Sequence, residues 1–196
     1  DLNTAATTDI NVSGAKGATV DISGGKNIVV NDATANNAIT IGQAATLNGF
    51  TATATNAAGT ITVTDTNQGT GNIVVDGGTD VTVTASARTT GTIKVGDTSN
   101  SNVATDMASG AINVTVNEAL ASAGTAAAIT VEGGSSITIT ENITASAAAI
   151  TTASTAAVPG NITGAAISAT GGAATTSVTV NQTNASNAVA AATAAT

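Results

Sequence analysis

Residues Ile73 to Val83 read IVVDGGTDVTV: a strand-like doublet, a glycine pair, then a second doublet. Apolar and polar residues alternate on both sides of the pair, at Ile73/Val75 and Val81/Val83, the period-two pattern of strands with one buried face. Glycine pairs supply positive φ where a chain turns sharply, and neighbouring Asp or Asn tolerate the same region. The phrase returns as VDISGGKNIVV at Val20 to Val30 and ITVEGGSSITI at Ile129 to Ile139, with a looser copy around Gly171 and Gly172. A phrase that recurs along the whole chain predicts repeat architecture. The glycine pairs read equally well as hairpin turns and as solenoid corners.

The same alternation gives further doublets at Ile10/Val12, Ile39/Ile41, Ile61/Val63, Ile93/Val95, Ile112/Val114 and Val178/Val180, and helix is almost absent from the pattern. The fold class expected is all-β repeat architecture, a parallel β-solenoid (β-helix) ahead of a chain of small antiparallel β-sandwiches. Gly24, Gly77, Gly133 and Gly171 lie 53, 56 and 38 positions apart. This spacing suggests copies at 1–56, 57–109 and 110–157, with a shortened copy and tail at 158–196. Asp97 to Ser109 and Thr144 to Ala157 break the rhythm and read as loops or weakly packed coil. Asn187 to Thr196 reads as a tail.

The chain has no His, Cys, Trp or Tyr, and Phe50 is its one aromatic residue. Imidazole is the usual general base near neutrality, and imidazole and thiolate are the preferred transition-metal ligands, so no enzyme is expected. Alanine inflates an apolar share of 42%; a narrow core of stacked Val and Ile suits the side chains present. The formal charge is −8, with Lys16, Lys26, Arg88 and Lys94 the only cations. That balance weighs against nucleic acid and anionic membranes, and no apolar run approaches the roughly 20 residues needed to span a bilayer. Asp1 to Thr8 has neither basic nor apolar leader segments, which suggests a processed start or an internal piece of a longer chain.

Asp76 and Asp80 bracket the central glycine pair, with Asp65 and Asp97 at strand ends in the same copy. Carboxylates and turn carbonyls are the hard oxygen ligands calcium takes, so these four are the candidate calcium site. The phrase resembles the glycine- and aspartate-rich calcium repeats of type I secreted bacterial proteins but lacks their second glycine step and nine-residue spacing. The alternative is solvated turn residues, and no cofactor is required. Glycoside hydrolysis by paired carboxylates has no aromatic sugar platform to support it. Arg88 and Lys94 read as exposed charges that discourage edge pairing. Thr60/Thr62/Thr64, Thr82/Thr84, Thr138/Thr140 and Thr51/Thr53/Thr55 form Thr-x-Thr rows resembling ice-binding solenoid faces, without the short fixed period such a face demands. Sequons occur at Asn11, Asn113, Asn142, Asn161, Asn181 and Asn184.

The stretches GNIVVDGGTDVTVTA and TTSVTVNQT resemble repeat regions of large bacterial surface proteins, of the S-layer type and among β-strand-repeat adhesins or exoproteins. The resemblance covers nearly the whole chain and rests on composition and repeat style. It implies an extracellular, cell-surface scaffold that assembles with itself or projects another domain. Open strand edges seek further strands, so a homo-oligomer or polymer forming a layer, filament or stalk is expected, with a cell surface or extracellular matrix as its setting. An adhesin segment is the alternative, and ice binding stands third.

Overall fold

The computed structural model describes residues 2–4, 7–14, 19–42, 46–47, 50–51, 55–96, 106–120, 124–145 and 162–185. Among these residues sixteen strands follow in order: β1 (Leu2–Thr4), β2 (Ile10–Ser13), β3 (Thr19–Gly24), β4 (Ile28–Asp32), β5 (Ala38–Ile41), β6 (Thr46–Leu47), β7 (Phe50–Thr51) and β8 (Ile61–Asp65). Then come β9 (Ile73–Val75), β10 (Val81–Ser86), β11 (Ile93–Val95), β12 (Ala111–Leu120), β13 (Ile129–Glu132), β14 (Ser136–Ala145), β15 (Ile167–Thr170) and β16 (Ser177–Ala185).

Two seven-stranded sheets result. The first runs β1-β3-β5-β9-β11-β13-β15 and the second β2-β4-β8-β10-β12-β14-β16. All their pairings are parallel. The chain alternates between them, so each first-sheet strand and the second-sheet strand after it form one rung; β6 and β7, a small antiparallel pair, interrupt the third rung. The arrangement resembles a parallel β-solenoid.

The expected fold class is corrected on these pairings. A chain of antiparallel sandwiches would make each glycine pair a hairpin, whereas β3 and β4, β9 and β10, and β13 and β14 belong to opposite sheets. Within the second sheet β4 pairs with β8, β10 with β12 and β14 with β16, each in parallel.

Register explains the core. Ile10, Ile28, Ile61, Val81, Ile112, Ile137 and Val178 fall in one column of the second sheet, and Val12, Val30, Val63, Val83, Val114, Ile139 and Val180 in the next. The first sheet answers with Val20, Ile39, Ile73, Ile93, Ile129 and Ile167. Both inner faces enter one apolar cluster. β-branched side chains fill it because flat stacked rungs need medium side chains in few rotamers.

The glycines set the corner. Gly42 and Gly96 hold φ of 88° and 99°, and a methyl on either would collide with the carbonyl oxygen of Asp76 or Glu132 in a neighbouring rung. Backbone passes too closely there for any other residue. Of the expected loops, Thr144 and Ala145 instead close β14, because the long β12 offers them a ladder partner through Ala119 and Leu120. Positions 97–105, 146–161 and 186–196 lie outside the described residues, and with them Asp97, Asn161 and the tail.

Candidate functional site

The third inner column of the second sheet departs from the first two. It holds Asp32, Asp65, Ala85, Val116, Glu141 and Gln182, and beside it Glu118 takes an inward position of β12. Asp32, Asp65, Glu118 and Glu141 are buried, as is Arg88 from the turn after β10. Burying charge costs several kcal/mol per ion unless it is paired and hydrogen-bonded, and the partners show how far this is met.

Arg88 donates from Nε to Glu118 Oε2 at 3.2 Å and from Nη2 to Glu118 Oε1 at 2.9 Å and Glu141 Oε1 at 3.0 Å. One planar guanidinium thus ties the fifth and sixth rungs to the turn leaving the fourth, a bidentate geometry lysine cannot copy. Glu141 Oε2 accepts from the Ala165 N–H at 3.1 Å and from Gln182 Nε2, which extends the network to the seventh rung. Ala87, immediately before Arg88, has φ of 52°. The left-handed region is costly for a residue with a Cβ, and here it turns the chain where Arg88 enters the interior.

The carboxylates outnumber the cation. Burial pushes the Glu118 carboxyl above its ordinary range; the Arg88 hydrogen bond opposes this and the neighbouring Glu141 adds to it. Asp65 is raised to about 6, chiefly by burial, with the Asn67 N–H opposing and Asp32 in the next rung adding to it. Asp65 Oδ1 accepts from Asn67 N at 2.9 Å. Asp65 Oδ2, Gln68 Oε1 and Arg88 Nη1 are buried with no protein partner. Asp32 is better served, accepting from Thr34 N and Asn37 Nδ2, both at 2.8 Å.

The expectation that Arg88 is an exposed charge is therefore overturned. The sequence did carry a signal. Glu118 and Glu141 keep the parity of Val114/Val116 and Ile137/Ile139, and inward carboxylates demand an inward cation, of which the chain has few. Lys94 is exposed as expected, yet it stands on β11 in the middle of the first sheet and guards no edge.

Three of the four candidate calcium residues are described, and they occupy unlike settings. Asp65 points into the second-sheet corner, Asp76 is buried just after β9, and Asp80 is exposed before β10. Among the described residues no group of three acidic side chains could hold a metal ion. Asp80 instead links two turns, its Oδ1 accepting from the Ala111 N–H at 2.7 Å. Asn27 Oδ1 serves Thr60 N at 3.1 Å and Asn72 Oδ1 serves Thr92 N at 2.9 Å in the same way. One rung's turn amide or carboxylate thus satisfies a backbone donor that the next turn would otherwise leave open.

On the outer face of the second sheet the threonines align. Thr62, Thr82, Thr138 and Thr179 share one column, with Asn113 between the second and third; Thr64, Thr84, Thr115 and Thr140 occupy four successive strands of the next. Thr53 lies outside the described residues. Among them, no helix is long and apolar enough to cross a membrane.

No protein-family model matches the chain, and neither a curated protein nor a solved structure is found similar to it.

Proposed function

We propose that the protein is an extracellular structural element of a cell surface that assembles with copies of itself into a layer, filament or stalk. The observation that carries this reading is the pair of parallel ladders that run through every rung and end, among the described residues, in strands bonded on one side only. A stack whose neighbours are interchangeable in pattern is a spacer of fixed cross-section. Its unpaired backbone donors and acceptors favour the addition of further strands. Electron microscopy of the concentrated protein in calcium-containing buffer is expected to show regular sheets or fibres. A monodisperse monomer under those conditions would overturn the reading, and loss of order under chelation would implicate turn carboxylates such as Asp76 and Asp80.

A second reading, ice binding, is favoured by the threonine columns. Unequal spacing in the sequence is absorbed in the turns, so hydroxyl and methyl groups fall on a grid of about 4.8 Å between strands and about 6.8 Å along them. Thr82→Lys with Thr84→Lys, placed on this uncharged grid, is expected to abolish any thermal hysteresis the protein shows. Absence of hysteresis in the unaltered protein excludes this reading.

A further inference from the structure

We infer that the β15–β16 end of the molecule docks head to tail on the β1–β2 end of a second copy, continuing both sheets in parallel register. The inference rests on the self-assembly reading above and names the surface that performs it. β16 is a nine-residue strand at the edge of the second sheet, with β14 as its single neighbour among the described residues. Val178 and Val180 are 48% and 45% exposed, whereas the residues one rung earlier in their columns, Ile137 and Ile139, are fully buried. Natural edge strands are blunted by charge or proline; SVTVNQTNA has neither. Among the described residues this end has no further strand, and β16 carries no charge or proline to repel one.

The partner's chemistry follows from register. It must offer a parallel strand with apolar side chains at two alternate inward positions. β2, reading INVS, is the opposite edge of the same sheet and carries Ile10 and Val12 in the columns of Val178 and Val180. Ile10 is only 6% exposed, and among the described residues β2 has β4 as its one strand neighbour, so its outer backbone edge is where a further strand would add. β1 and β15 are likewise the two edges of the first sheet. One translation along the ladder therefore joins both pairs at once, and because the two surfaces differ, the contact propagates into a polar filament.

The test uses Asn11→Cys with Thr179→Cys in the full chain, which has no cysteine of its own. Both positions are exposed and stand in one outward column at opposite edges. Within one copy they lie six strand spacings apart, roughly 29 Å, far beyond the Cα separation of about 4.4–6.8 Å that a disulfide bridges. Mild oxidation is expected to give a ladder of dimers, trimers and longer species, and adding Val178→Lys and Val180→Lys is expected to erase it while circular dichroism stays unchanged. Dimers from Thr179→Cys alone would mean tail-to-tail pairing and overturn the inference. Ordered assemblies by microscopy without a ladder would overturn this contact and leave the structural reading standing; dispersed particles without a ladder would overturn both.

Discussion

Two columns of the second sheet contain only Ile and Val from Ile10 to Val180, while the column beside them carries Asp32, Asp65, Glu141 and Gln182. The strands and the face are the same, and the chemistry is opposite. The apolar columns are held by burial alone, in which any medium β-branched residue serves its neighbours above and below. The polar column depends on particular partners, above all on Arg88, which comes from outside the strands. One region tolerates exchange along its length; the other is stabilised only as a complete set.

Removing the cation should therefore have the largest effect. Arg88→Met leaves Glu118 and Glu141 buried without a counter-charge, and a loss of about 3–5 kcal/mol is expected in urea unfolding. Arg88→Met with Glu118→Leu and Glu141→Leu is expected to recover most of that loss, since a well-packed apolar set often matches a buried ion network. If the triple variant were no better than the single one, the network would be supplying specificity of packing rather than merely balancing charge.

The second effect is a pH dependence. Asp65 titrates at about 6 in the folded chain against an ordinary 3.8, so the folded state holds its proton more tightly than the unfolded state does. Its contribution to stability is full below about pH 4 and is lost as pH rises through about 6. Glu118, raised as well, contributes in the same direction. Asp65→Asn removes the buried charge and keeps an oxygen for the Asn67 N–H. Stability at pH 8 should rise by on the order of 1–2 kcal/mol, and thermal unfolding between pH 4 and 8 should show a flatter profile. A steeper one would reverse the sign and the argument.

The two regions also differ in how far the sequence announced them. Alternation at Ile28/Val30, Ile61/Val63 and Val81/Val83 predicts strands with one buried face, because period two is a local property of the chain. Parallel pairing is not local: β4 finds β8 across the inserted β6–β7, and only the ladder shows that Ile28 and Ile61 are neighbours. Glycine pairs announced turns without saying whether the next strand folds back or crosses to another sheet. Arg88 was harder still. A lone cation in a turn looks solvated until Glu118 and Glu141 are placed on the inner face. Asp76 and Asp80 are close in sequence and alike in type, yet one is buried and the other exposed, a difference that the local sequence does not announce.

In the apolar columns a smaller change sharpens the contrast. Ile112→Val removes one methylene between Val81 and Ile137, with an expected cost of about 1 kcal/mol. Ile61→Val and Ile137→Val should cost nearly the same, since each sits in the same column with the same kind of neighbours. Widely different costs among the three would show that the column is not uniform.

The smallest effect should come from Lys94, and it bears on edges rather than cores. Lys94 is exposed on β11, flanked in its column by Val74 and Thr130, and each strand edge beside it is already occupied. Lys94→Thr should change stability by less than about 0.5 kcal/mol and leave cross-linking through Asn11→Cys and Thr179→Cys as it was. The same charge at Val180 should also cost little in folding, because that side chain is already half in water, yet it should stop the ladder of oligomers. A lysine obstructs strand addition only where a strand is still to be added, so position in the sheet, and not charge itself, decides the outcome. Loss of oligomers from Lys94→Thr would instead place the contact between copies on the outer face of the first sheet.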